Sequence, residues 1–300
     1  MTSYGSGVHI FGDGVTIHGP VVGRDMIGGG PAAASRDGRV AAAPGSTDIG
    51  VLTILDEEIR AVCSELKQMS GYTERPLRHG PLAREAWLAV PAGRRVRVAA
   101  VQTLTRGTES AALAYRGLVE EYNPYAVLLV GIAGGVSPEV DIGDVVLSDE
   151  VISYDARREG PEGVRRRGQA QSVAAELGHR LNDFFTATPR QQRRDGDDSF
   201  RIHRGPIGSG NAVITDAGSE IRRWLTTFNE KVLAVETEAA GVAQSFHESV
   251  RTDSGPRGWL TVRGISDVAD KNKGHDHHEL AARHAAEVMA MLARYLVRPD

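Results

Sequence analysis

Three places in this sequence put carboxylates directly behind a short apolar run. Asp56-Glu57-Glu58 follows IGVLTIL, Glu236-Thr237-Glu238 follows the run 232–235, and Ser266-Asp267 follows the run 259–265. A fourth apolar run, 126–130, opens into Gly131-Ile132-Ala133-Gly134-Gly135, which reads as a small-residue turn. Apolar runs without alternation suit strands buried on both faces of an α/β sheet. Ligands of open α/β sheets bind beyond the carboxyl ends of such strands. One acid at a strand end is commonplace, because carboxylates favour helix starts. Three of them, with glycines that let a ligand approach the backbone, point to a cleft doing acid–base chemistry on a neutral or cationic centre.

Other chemistries are poorly served. No G-x-S-x-G elbow is present, nor a Gly-Lys-Ser/Thr phosphate loop or a G-x-G-x-x-G dinucleotide turn. Cys63 is the only cysteine, so an internal disulfide and a cysteine-only metal site are excluded. His275, His277 and His278 cluster without a standard ligand spacing, so neither metal nor cofactor is expected. A net charge of −4 gives no general pull towards nucleic acid or an anionic membrane. No apolar run approaches the roughly 20 residues that span a bilayer. The start of the chain lacks the basic and apolar regions of a secretory signal. The expected setting is cytoplasmic.

Bringing those acids together requires alternating strands and helices. Ile59, Val62, Cys63 and Leu66 recur at helical spacing behind the first acids. Residues 86–90 and 96–104 read as a hairpin around Pro91-Ala92-Gly93. Gly107-Thr108-Glu109-Ser110 opens a helix, capped by Thr108 or Ser110 and ended by Asn123-Pro124. Residues 156–167 read as a basic surface loop, 169–185 as a helix, 201–214 as strand–turn–strand and 219–228 as a helix. Further helices run from behind Glu238 to Phe246 and from His278 to Val297. This alternation implies a mostly parallel or mixed sheet flanked by helices, formed by residues 48–300. Residues 31–47, rich in Ala, Pro, Gly and Ser, read as a flexible linker. Residues 1–30 alternate glycine or polar residues with Val and Ile, a β-prone pattern too short to bury a core alone. That segment is expected to add strands to something, or to stack on copies of itself. Gly19-Pro20-Val21-Val22-Gly23-Arg24-Asp25 resembles the short amyloid-type signalling motifs of some bacterial immune proteins.

Five blocks in order, IGVLTILDEEI, VGIAGGVSPEVDIGDVVLSDEVISYD, IGSGNAVI, AVETEAAGVAQ and VRGISDVADKNK, resemble the nucleoside phosphorylase and nucleosidase superfamily. They are nearest the branch that includes the methylthioadenosine/S-adenosylhomocysteine nucleosidases, and variants of this domain serve as effectors in bacterial defence. The resemblance implies an α/β fold of three layers, α-β-α, with a mixed central sheet, phosphorylase/hydrolase-like. It implies that Asp267 protonates the departing purine, that Glu58 activates the attacking water, and that Glu238 holds the ribose hydroxyls. Thr237 stands where the family usually has Met, Ile132 where nucleosidases have Ser or Thr, and Val213 replaces an aromatic. Val213 and Ile214 are the implied purine contacts; Glu236, Ala133, Gly134 and Ser266 complete the implied lining. Phosphorylases place arginines at the positions of Glu58 and Leu129, so hydrolysis is favoured, with Arg60 and Arg106 as the cations that keep phosphorolysis open.

The reading is therefore an N-ribosyl hydrolase acting on a purine nucleoside or nucleotide, with a defence-effector role and a homo-oligomer expected by analogy. The alternatives are a phosphate-dependent phosphorylase and a nucleoside-binding sensor with little catalysis. For a nucleotide, Arg157, Arg158, Arg165, Arg166 and Arg167 are candidate phosphate contacts.

Overall fold

The computed structural model describes residues 47–77, 80–192, 199–214, 216, 218–249, 255–268 and 277–298. The glycine-rich segment 1–30, most of the linker, His275 and the last resemblance block beyond Val268 lie outside them.

The two longest strands are β5 (Ala126–Gly135) and β15 (Gly258–Asp267), and they pair in parallel along almost their whole length. β5 is entirely apolar, β15 adds Thr261, Arg263, Ser266 and Asp267, and both are almost wholly buried, as a central strand covered on both faces must be. From β5 the sheet extends through β1 (Ile49–Thr53), parallel, and β4 (Arg95–Gln102), parallel to β1. It continues antiparallel through β3 (Leu82–Ala89) to the edge strand β2 (Ser70–Pro76). In the other direction β5 meets β14 (Ala234–Glu236), followed by β13 (Ile207–Ser209), β7 (Glu150–Ser153) and β10 (Gln169–Ser172). A branch leaves β15 through β6 (Val145–Ser148) to β12 (Phe200–Arg204) and β11 (Gln191–Gln192). The sheet is mixed, as the alternation implied.

Helices cover both faces. On one, α1 (Asp56–Gln68), α3 (Ala175–Ala187) and α6 (His278–Ala293) bury Val62, Leu66, Leu177, Phe184, Val288 and Leu292 against the strands. On the other, α2 (Thr108–Tyr122) and α5 (Ala239–Glu248) bury Tyr115, Leu118, Val242 and Phe246. The short α4 (Glu220–Phe228) is capped by the Ser219 side chain, which accepts from Arg222 N–H. The three-layer architecture is present.

Several local expectations change. Residues 131–135 are not a turn: β5 runs straight through them, because β15 pairs beside it and β14 pairs with Gly134 and Gly135. The expected helix 169–185 is β10 followed by α3, since Gln169–Ser172 pairs with β7. The basic loop is a hairpin of β8 (Arg157–Gly160) and β9 (Gly163–Arg166). Strand β2 was not anticipated, its sequence SGYTERP being polar and mostly exposed. The N-cap of α2 is Gly107 at φ 106°, with no side-chain cap of its own.

Candidate active site

The cleft begins where β1 stops. β1 pairs with β5 only as far as Leu52↔Leu129. Beyond that point the Ile132 N–H on β5 is taken by Glu58 Oε1 at 2.9 Å. Glu58 sits in the first turn of α1, and its other oxygen accepts the N–H groups of Ile54 (2.7 Å) and Leu55 (2.9 Å). The acid that favours a helix start is thus turned inward and only 3% exposed. Burial pushes its pKa up, against Arg263 and the three N–H groups that hold its charged form.

Arg263 is the cation behind the cleft. It lies on β15 at 0% exposure, donating through Nη2 to Glu236 and, at 3.2 Å, to Glu238 Oε2. Burial opposes its charge, but Glu236, Glu238 and Glu58 outweigh that and push its pKa up. Its Nη1 stands 4.0 Å from Glu58 Oε1, too far for a direct hydrogen bond, and finds no hydrogen-bond partner. Gly131 makes the approach possible: a Cβ there would lie 2.3 Å from Glu58 Oε1 and 2.4 Å from Arg263 Nη1. The groups brought close to this glycine are the protein's own side chains.

Glu236, at the end of β14, is occupied by Arg263 and by the N–H groups of Glu238 (3.0 Å) and Ala239. Burial pushes its pKa up; Arg263 works against this and Glu238 adds to it. Glu238 Oε1 accepts from Thr237 Oγ1 and, at 3.1 Å, from Gly107 N–H. Asp267, at the end of β15, is 4% exposed and accepts from Ser266 Oγ at 3.1 Å. Across from it the segment 210–214 is held by Tyr154, whose hydroxyl donates to Gly210 O (3.0 Å) or Ala212 O (2.8 Å). Asn211 ties that segment to α2, its Oδ1 accepting Thr108 N–H at 3.0 Å, while its own N–H donates to Asp155 at 2.7 Å.

All the site residues expected from sequence, Glu58, Ile132, Ala133, Gly134, Val213, Ile214, Glu236, Thr237, Glu238, Ser266 and Asp267, line one cleft. Arg106 lines it as well. Arg60 does not; it is exposed and 3.8 Å from Glu279. Leu129 is buried core. The five arginines offered for a nucleotide phosphate lie on or beside the β8–β9 hairpin and none lines the cleft; Arg157 pairs with Glu159, Arg165 with Glu162 and Arg166 with Glu220. Sequence reasoning passed over Arg263, Tyr154, Asn211 and His278. Arg263 had a signal, a lone charge inside an apolar strand, which must be paired if buried. Asn211 had none, because its partners Asp155 and Thr108 are 56 and 103 residues away.

The sequence pattern of the phosphorylase superfamily matches residues 48–298. A 5′-methylthioadenosine/S-adenosylhomocysteine nucleosidase of Colwellia psychrerythraea, solved with adenine, superposes with a TM-score of 0.65 at 20% identity, covering 84% of this chain and 96% of that one. The Neisseria meningitidis nucleosidase with methylthio-immucillin-A gives 0.61 at 22% identity, covering 83% and 99%. The futalosine hydrolase of Helicobacter pylori gives 0.61 at 19%, covering 82% and 97%.

Proposed function

This chain belongs to the phosphorylase superfamily, and from that premise we propose that it is an N-ribosyl hydrolase cleaving the glycosidic bond of a purine nucleoside or nucleotide. The observation that carries the reading is the gap between Glu58 Oε1 and Arg263 Nη1. A buried carboxylate and an unpartnered guanidinium N–H stand 4.0 Å apart, a separation that a water bridging both would satisfy. A phosphate nucleophile would instead meet the Glu58 carboxylate, so hydrolysis is preferred over phosphorolysis.

Asp267 carries a proton to the departing purine nitrogen as the bond to C1′ lengthens, and the sugar passes through an oxocarbenium-like state. Glu58 takes a proton from the water as its oxygen bonds to C1′. Asp267 ends as the carboxylate, Glu58 as the acid, and solvent returns the proton. Glu238, fixed by Gly107 N–H and Arg263, accepts from the ribose hydroxyls, and Val213 and Ile214 bound the purine. Each proton-transfer group contributes about 10²–10⁴ in rate. The reading is tested by following free base chromatographically from a panel of nucleosides and nucleotides. Base release is expected without added phosphate, with Asp267→Asn losing at least about a hundredfold in kcat. A strict phosphate requirement would favour the phosphorylase, and tight binding without turnover the sensor.

The same reading includes a homo-oligomer, self-assembly through residues 1–30 and a role as a cytoplasmic defence effector. Its support is the sequence pattern, together with the exposed Leu104 and Leu113 on the α2 side of the molecule. Light scattering on the full chain and on a chain starting at residue 48 would show whether the segment drives assembly; equal masses would remove that part.

A further inference from the structure

Two side chains lining the cleft have no part in breaking the glycosidic bond. Arg106 precedes Gly107, whose N–H holds Glu238, so it borders the sugar end of the cleft. It makes no hydrogen bond or ion pair with any described residue, although the cleft walls carry Glu58, Glu236, Glu238 and Asp267. His278 opens α6 and lines the same cleft. Its Nδ1–H donates to Glu57 Oε1 at 3.0 Å, which holds the ring in one orientation, and in the imidazolium form Nε2 carries a second N–H that can donate to an anion. Burial works to raise the Glu57 pKa, yet its backbone hydrogen bond and His278 win and lower it.

An unpaired guanidinium and an oriented imidazole are out of place if the sugar's 5′ end is apolar. They suit an anion with several acceptor oxygens. We propose that Arg106 and His278 form a phosphate subsite and that the substrate class is the purine nucleoside 5′-phosphates. This rests on the nucleosidase reading and names its substrate. Free phosphate is the other source of the same chemistry. It is the weaker fit, because a phosphate acting as nucleophile must reach C1′ beside Glu58, whereas a 5′-phosphate lies away from that carboxylate.

The test compares adenosine with AMP and guanosine with GMP, using the full chain, its Arg106→Gln variant and its His278→Gln variant, each with and without inorganic phosphate. The wild type is expected to favour the nucleotide by tenfold or more in kcat/KM. Each variant should lose at least tenfold more on the nucleotide than on the nucleoside. Equal losses on both would overturn the subsite and leave Arg106 and His278 structural roles only. Phosphate-stimulated nucleoside cleavage that disappears in Arg106→Gln would overturn it in favour of a co-substrate site. Calorimetry with AMP and adenosine separates the two layers. If no substrate turns over yet AMP binds tenfold tighter and loses that margin in Arg106→Gln, hydrolysis fails and the subsite stands; equal binding sinks the subsite.

Discussion

A methyl group on Gly131 would fall within 2.4 Å of both Glu58 and Arg263, closer than real carbon atoms approach a carboxylate or guanidinium. Gly131→Ala must therefore push the two groups apart or displace β5. Overpacking of this kind costs about 1–3 kcal/mol, which leaves a folded protein with the gap between Glu58 and Arg263 distorted. The expected outcome is a tenfold or greater loss of kcat with a modest fall in Tm; an undiminished kcat would remove the gap from the mechanism. Glu58 itself sets a pH signature. Its folded pKa is raised by burial, so as pH falls it gains a proton earlier than an ordinary carboxyl and ceases to act as a base. The acid limb of kcat/KM should accordingly lie above the ordinary glutamate value of 4.5. Glu58→Gln should lose about 10²–10⁴ in kcat and that limb with it. A variant retaining the limb would assign it to another group.

The elements show why some of this was legible and some was not. Apolar runs ending in acids located β1, β14 and β15 and the residues at their ends, because burial on both faces writes itself as an unbroken hydrophobic string. The same logic misread residues 131–135: glycine signals a turn locally, but here two neighbouring strands hold the backbone extended. Strand β2 escaped because an exposed edge strand carries little hydrophobic pattern. Contacts between distant segments left no local trace, and Asn211 is the clearest case. It joins the segment 210–214, proposed to bound the purine, to the N-terminus of α2, next to the glycine whose N–H fixes Glu238. The proposed base and sugar contacts are thereby held in one frame. Asn211→Ala removes a hydrogen bond worth about 1 kcal/mol and should raise KM and lower kcat together, by several-fold each, with Tm little changed. A drop in Tm with unaltered kinetics would make Asn211 a structural link only.

At the scale of the whole molecule, acids buried for chemistry and acids buried for stability respond oppositely to pH. Glu85, on β3 and remote from the cleft, accepts from Arg75 Nε on β2 (2.7 Å), Arg97 Nη2 on β4 (2.6 Å) and the Tyr122 hydroxyl on α2 (2.6 Å). Burial alone would raise its pKa, but Tyr122, Arg97 and Arg75 together lower it. Asp144 is lowered in the same way: His203 and the N–H groups of Arg201 and Asp141 overcome burial. A carboxyl whose folded pKa is depressed contributes stability above its unfolded value, and that contribution is lost as pH falls through the folded value. Glu58 and Glu236 are raised, so their contribution is present in acid and lost as pH rises through their folded pKa values. Near neutrality the cleft therefore draws stability from the fold while the Glu85 cluster supplies it. Arg75 is 40% exposed at its side chain and Arg97 18%. Solvent screening thus keeps the loss below that of a fully buried pair. Glu85→Gln should cost about 2 kcal/mol at pH 7, near 5 °C in Tm for a domain of this size. The gap from wild type should close as pH is lowered below the ordinary glutamate value of 4.5, because the wild-type carboxyl then protonates too. Thermal melts of both proteins from pH 7 down to pH 3 would show it; a gap constant across that range would mean that Glu85 acts through packing, not through its charge.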